Sequence, residues 1–129
     1  MKIERIGSGT GWEARFGYCR AVKTGGRVSV AGTVAVDEHG EATAPGDAYS
    51  QTRRAFEIAL AALAKLGGGL GGVIRTRMYV TDISRYEEYG RAHGEIFNQN
   101  PPVSTMVEVS ALIAPAFLVE VEIEAVVGE

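Results

Sequence analysis

Cysteine is nearly absent. Cys19 stands alone in 129 residues, so no internal disulfide can form and nothing resembles a cross-linked secreted scaffold. Histidine is almost as scarce. His39 and His93 are the only two, without zinc-ligand spacing, so no metal is expected, and no sequence feature calls for another cofactor. Long apolar runs are missing, which excludes a membrane-spanning helix. The opening stretch, MKIERIGSGTGWEARFGY, places charges where a signal peptide needs an apolar core. A cytoplasmic protein with no membrane partner is the plain expectation. Positive charge is also short: 13 Lys and Arg against 16 Asp and Glu give a net charge of −3, and the basic residues are scattered. That excludes affinity built on neutralising phosphates, so no nucleic-acid partner is expected.

What remains is an ordinary globular composition, 46% hydrophobic and 22% charged. A chain of 129 residues fits one domain spanning 1–129, and it can bury roughly two-thirds of its unfolded surface without staples. Residues 19–24 and 27–36 are strand-like runs joined by Gly25-Gly26, the mark of a hairpin. Asp47 can cap a helix whose apolar face is Thr52, Phe56, Ala59, Leu60, Leu63 and Leu66, and which stops at Gly67. Residues 73–82 alternate as a strand. A second helix starts near Ser84, where Ser84 and Glu87 have capping-box spacing. Its inward stripe is Tyr86, Tyr89, His93, Ile96 and Phe97, and Pro101 and Pro102 end it. Strands follow at 103–110 and 118–127.

The order is strand, strand, helix, strand, helix, strand, strand. It predicts an α+β fold, a mixed sheet with two helices on one face. No further helix is left to cover the other face, and a partner subunit is the economical cover.

Candidate chemistry is sparse. GGGLGG, 67–72, contains G-x-G-x-x-G, but a helix precedes it and a strand follows. That is the reverse of the dinucleotide-binding order, and the stretch reads as a helix end and a turn. Cys19 has no base in view and reads as a packed thiol. His93 sits on an apolar helix face as a packed, hydrogen-bonded ring. Trp12, Arg15, Phe16 and Tyr18 lie in a glycine-punctuated loop that either rims a pocket or packs over a sheet edge. Glu120, Glu122 and Glu124 share one side of the last strand. They are either a solvated row, or one of them turns into a cleft and positions water.

Six stretches carry a resemblance: GYCRAV, VSVAGT, DAYSQTRRAFEIALAAL, VIRTRMYVTDI, PPVSTMVEVSAL and VEIEAV. In this order and at these intervals, over nearly the whole chain, the sequence resembles the Rid (YjgF-type) family of small imine and enamine deaminases. The resemblance implies a chorismate-mutase-like α+β domain and a homotrimer with small-molecule clefts between subunits. It implies that Tyr18 walls the cleft, that the backbone of Gly32 lines it, and that Glu122 is the catalytic residue, orienting water. Two positions depart. Ser104 stands where the deaminases carry an arginine, and Gly90 where they carry an asparagine.

A guanidinium grips a carboxylate through two parallel hydrogen bonds, whereas serine offers one neutral donor. The exchange predicts a loss on the order of a hundredfold in imino-acid binding. Arg15 or Arg91 would be the replacement cation, and Ser104 or Thr105, with the Gly32 N–H, would hold a ligand oxygen. The resemblance thus leaves two expectations: water addition to an imine or related electrophile, or a non-catalytic trimer that senses or sequesters a metabolite. Ribonuclease or translation-inhibitor activity, attached to some relatives, fits the acidic balance least.

Overall fold

The computed structural model describes residues 1–128. Nine principal elements follow one another: β1 (Ile3–Ile6), α1 (Gly11–Phe16), β2 (Ala21–Thr24), β3 (Arg27–Val34), α2 (Ala48–Lys65), β4 (Val73–Val80), α3 (Tyr86–Phe97), β5 (Val103–Glu108) and β6 (Val119–Val126). The strands make one six-stranded sheet in the order β1-β2-β3-β6-β4-β5. Every pairing is antiparallel except β4 with β5. That parallel pair needs a crossover, and α3 supplies it.

Local chemistry explains the elements. Gly25 and Gly26 both take positive φ, 55° and 81°, as a two-residue turn matched to strand twist requires. Asp47 accepts from the Ser50 N–H at 2.9 Å and caps α2. Thr52, Phe56, Ala59 and Leu63 are the buried face of α2, which ends before Gly67 at φ 86°.

α3 begins differently from the expected capping box. The side chain of Asp82 takes the Ser84 N–H at 3.0 Å, a single 3-10 turn follows, and Arg85 precedes the helix without a side-chain cap. Tyr86 then falls on the outer side and is 56% exposed, so it leaves the inward stripe, while Tyr89 and Phe97 are buried.

The core lies between the helices and one face of the sheet. Phe56 and Leu63 of α2, Tyr89 and Phe97 of α3, and Val28, Met78, Val121 and Ile123 of the sheet fill it. Phe56 and Phe97 meet edge to face with centroids 5.2 Å apart. Gln51, fully buried on α2, ties two loops to this core. Its Nε2 donates to the carbonyls of Thr43 and Ala116, at 3.1 and 2.8 Å. Its Oε1 accepts from the Leu118 N–H at 2.8 Å.

Two elements were not expected. β1 adds an edge strand to β2. α1 forms where a loop was predicted: Trp12 and Phe16, four residues apart, stack at 5.5 Å, and Gly17 at φ 75° closes the helix. The opposite face of the sheet carries Arg75, Arg77 and Tyr79 of β4 beside Glu120, Glu122 and Glu124 of β6, all partly exposed. On edge strand β5, Met106 packs against the core while Val103 and Val107 turn away, 57% and 42% exposed.

Candidate functional site

The antiparallel register of β3 with β6 breaks once. Val30 pairs with Ile123 and Thr33 with Val121, so Ala31 and Gly32 together oppose Glu122 alone. This is a bulge, a device that re-aims side chains. Glu120, on the same side of β6, folds its carboxyl over Gly32. A Cβ built on Gly32 would overlap Glu120 Oε2 and lie 3.0 Å from Cδ, so only glycine leaves room for the group as placed. The Gly32 carbonyl accepts from Arg20 Nη2 at 2.9 Å. The Arg20 guanidinium lies 6.0 Å from the centre of the Tyr18 ring. Tyr18, Arg20, Gly32, Glu120 and Glu122 thus gather around one irregularity in the sheet.

Electrostatics separates the two carboxyls. Burial pushes Glu120 above the ordinary glutamate value of 4.5, the charge of Glu122 adds to this, and Arg20 pulls it back in part. Glu122 accepts from Tyr79 Oη at 2.5 Å and lies 4.0 Å from Arg77 Nη1. The same bond, then burial, raises the Tyr79 phenol. Arg75 and Arg77 reach Glu124 at 3.2 and 3.6 Å, so both arginines beside Glu122 are already engaged by carboxylates.

A carboxyl whose pKa rises on folding makes the folded state the better proton acceptor. Its contribution to stability is fully present below the unfolded pKa, is lost as the pH rises through the folded pKa, and stays lost above it. Glu120→Gln is therefore expected to gain stability over wild type as the pH rises above 4.5. Urea midpoints at several pH values check this; a difference that does not change with pH would show that the carboxyl titrates normally.

The remaining candidates lie elsewhere. Ser104 pairs with Thr76 across the β4–β5 ladder and so faces the helices, at the sheet's edge. Its Oγ is 2.7 Å from Thr76 Oγ1, which in turn is 2.7 Å from His93 Nε2 on α3. Gly90, about one turn before His93, is exposed, with open space where a Cβ would stand. Thr105 faces the other side, in line with Arg77 and then Glu122 across successive strands. Gly32 and Ser104 are three strand spacings apart, roughly 14 Å, and look to opposite faces. Arg15 lies on α1, 4.8 Å from the centre of the Phe16 ring. Arg91 stacks at 3.8 Å on Tyr49, on the helix side, and reaches Glu95 at 3.8 Å. Neither guanidinium has a contact with Ser104 or Glu122.

Sequence reading missed Arg20, Thr76, Arg77 and Tyr79. Alternation already put Arg77 and Tyr79 on one face of β4, but only the strand order sets that face beside the glutamates.

A six-stranded sheet with two long helices on one face, a polar opposite face, and a glycine bulge set against a carboxylate defines a small α+β domain. The chain belongs to the Rid/YjgF family, whose sequence profile, described as Endoribonuclease L-PSP, matches residues 10–127. It is 43% identical over 129 residues to an uncharacterised protein of Streptomyces coelicolor, covering 98% of this chain and 93% of that protein. It is 30% identical over 104 residues to the 3-aminoacrylate deaminase RutC of Acinetobacter baylyi, covering 81% and 82%. The crystal structure of a Mycobacterium tuberculosis member of the YjgF/YER057c/UK114 family superposes with a TM-score of 0.88 at 44% identity, covering 98% of this chain and all of that one. Among the described residues, no helix is long and apolar enough to cross a membrane.

Proposed function

We propose that the protein is a homotrimer that binds a small metabolite in clefts between subunits and adds water to its imine or enamine carbon. The observation that carries this reading is the division of the candidate residues. Tyr18, Gly32 and Glu122 gather at the β3 bulge, while Ser104 sits on the β5 edge strand facing the helices and Gly90 lies on α3, on the helix side of the sheet. One chain does not bring the two groups together; a neighbour's bulge set against this chain's β5 edge does. The partly exposed glutamate face and the exposed Val103 and Val107 offer the surface for that contact.

In this cleft Glu122 takes the proton of the attacking water. Tyr79 and Arg77 hold its carboxylate in place. The Gly32 N–H, with Ser104 or Thr105, holds a ligand oxygen or nitrogen, and Tyr18 forms the wall. The deaminase among the relatives supports the reaction class. A second reading, a non-catalytic binder of the same ligand, draws on the neutral Ser104. The endoribonuclease in the family's description fits a chain of net charge −3 least.

Two measurements test the proposal. Light scattering at micromolar concentration is expected to give about three times the chain mass of 13.7 kDa, and a stable monomer would remove the cleft. A coupled assay with semicarbazide as the competing trap follows imine hydrolysis. Imines made from serine or threonine are expected to turn over on the order of a hundredfold more slowly than with an arginine-bearing relative. Comparable rates would show that another cation grips the carboxylate, and Arg20 and Arg77 would be the first to substitute.

A further inference from the structure

The hydroxyl of Ser104 is not isolated. Thr76 Oγ1, fully buried, stands 2.7 Å from both Ser104 Oγ and His93 Nε2. A hydroxyl has one proton to donate, so a head-to-tail chain through Thr76 can run in two senses. In the first, His93 Nε2–H donates to Thr76, Thr76 donates to Ser104, and Ser104 is left to donate outward. In the second, Ser104 donates to Thr76, Thr76 donates to His93 Nε2, and the oxygen of Ser104 is left to accept. The two senses correspond to the two neutral tautomers of His93.

The ring is suited to this. Burial lowers the His93 pKa and keeps the imidazole neutral. Phe56 lies edge-on at 5.5 Å and Phe97 at 4.6 Å, so the aromatic neighbours offer no competing charge.

We propose that Ser104, Thr76 and His93 form a neutral hydrogen-bond relay that recognises an uncharged carbonyl, amide or imine group of the ligand rather than a carboxylate. The inference rests on the cleft reading above and names the ligand class for it. A contact that can reverse from donor to acceptor tolerates both an imine nitrogen, which accepts, and an amine or hydroxyl, which donates. It gives no fixed positive charge to a carboxylate, and Arg77, on the opposite face of the sheet, is engaged by Glu122 and Glu124 at 4.0 and 3.6 Å.

Pyruvamide and pyruvate test this, because they differ by an amide in place of a carboxylate. Binding is followed by NMR titration of the intact protein, with long-range proton–nitrogen spectra of the His93 ring as a second readout. The wild type is expected to bind pyruvamide about tenfold more tightly than pyruvate, and pyruvamide is expected to shift the His93 ring nitrogens. Ser104→Ala, on an exposed strand where folding is not at risk, is expected to weaken pyruvamide binding about fivefold and silence the His93 response. Thr76→Val is expected to silence it too, and Ser104→Arg to reverse the preference. A wild-type preference for pyruvate, or an unchanged His93 response in Ser104→Ala, would overturn the relay and leave the cleft reading standing. Binding of neither ligand would overturn the cleft, and the relay with it.

Discussion

In a reactive-imine assay, Glu122→Gln is expected to lower turnover by about a hundredfold or more, the usual scale for losing a positioned general base. Glutamine keeps an oxygen for Tyr79 Oη, so the contact that fixes the side chain survives while the capacity to take a proton is gone. Stability should change by no more than about 0.5 kcal/mol. Glu120→Gln is the informative partner. Its carboxyl is pushed up by burial and lies over Gly32, but the resemblance assigns the water to Glu122. A loss confined to Glu122→Gln supports that role. Equal and small losses would mean that the glutamate row is surface and the chemistry lies elsewhere. A loss confined to Glu120→Gln would move the base one pair along the strand.

The largest expected loss of stability comes from Gln51→Leu. The two side chains are close in size, so the change removes polarity more than volume. Three part-buried backbone groups then lose their partner at once: the carbonyls of Thr43 and Ala116 and the N–H of Leu118. Each unsatisfied group costs about 1–3 kcal/mol, giving an expected loss on the order of 3–5 kcal/mol if relaxation recovers part of it. That is a large share of the roughly 5–15 kcal/mol that holds a domain together. Urea unfolding measures it. Gln51→Glu is expected to be no better at neutral pH, because a second oxygen would face the two carbonyls. A loss below about 1 kcal/mol for Gln51→Leu would show that water replaces the amide there.

The fold was legible wherever one face of an element is buried and the other wet. The α2 stripe, the Gly25-Gly26 hairpin and the alternation of β6 follow from periodicity and turn chemistry alone. α1 was hidden because GWEARF is a turn and a half, framed by glycines, with only the Trp12–Phe16 spacing to mark it. The start of α3 was misread because Asp82, two residues before Ser84, offers the same N–H a better acceptor. The site was legible only in parts. Gly32 and Glu122 were named through the family resemblance, and the structure sets them at one bulge. That Glu120 would press on Gly32, or that Ser104 would meet Thr76 and His93, depends on strand register, which no local pattern encodes. Arg15 and Arg91 were named as replacements for the family's arginine. The structure gives both guanidinium groups a simpler use, stacked on the Phe16 and Tyr49 rings.

The place of β6 in the sheet has a consequence for how the chain is made. It is the last strand in sequence, yet it lies in the middle, between β3 and β4. Until it emerges from the ribosome, β1–β2–β3 and β4–β5 are two half-sheets with raw inner edges. Folding must therefore wait for Val119–Val126 to insert and zip both sides, a contact of long sequence separation and correspondingly slow closure. In that interval the edges of β3 and β4 are exposed to other nascent chains. A ribosome stalled shortly before Val119 should accordingly hold a protease-sensitive chain, and release past Val126 should convert it in a single step.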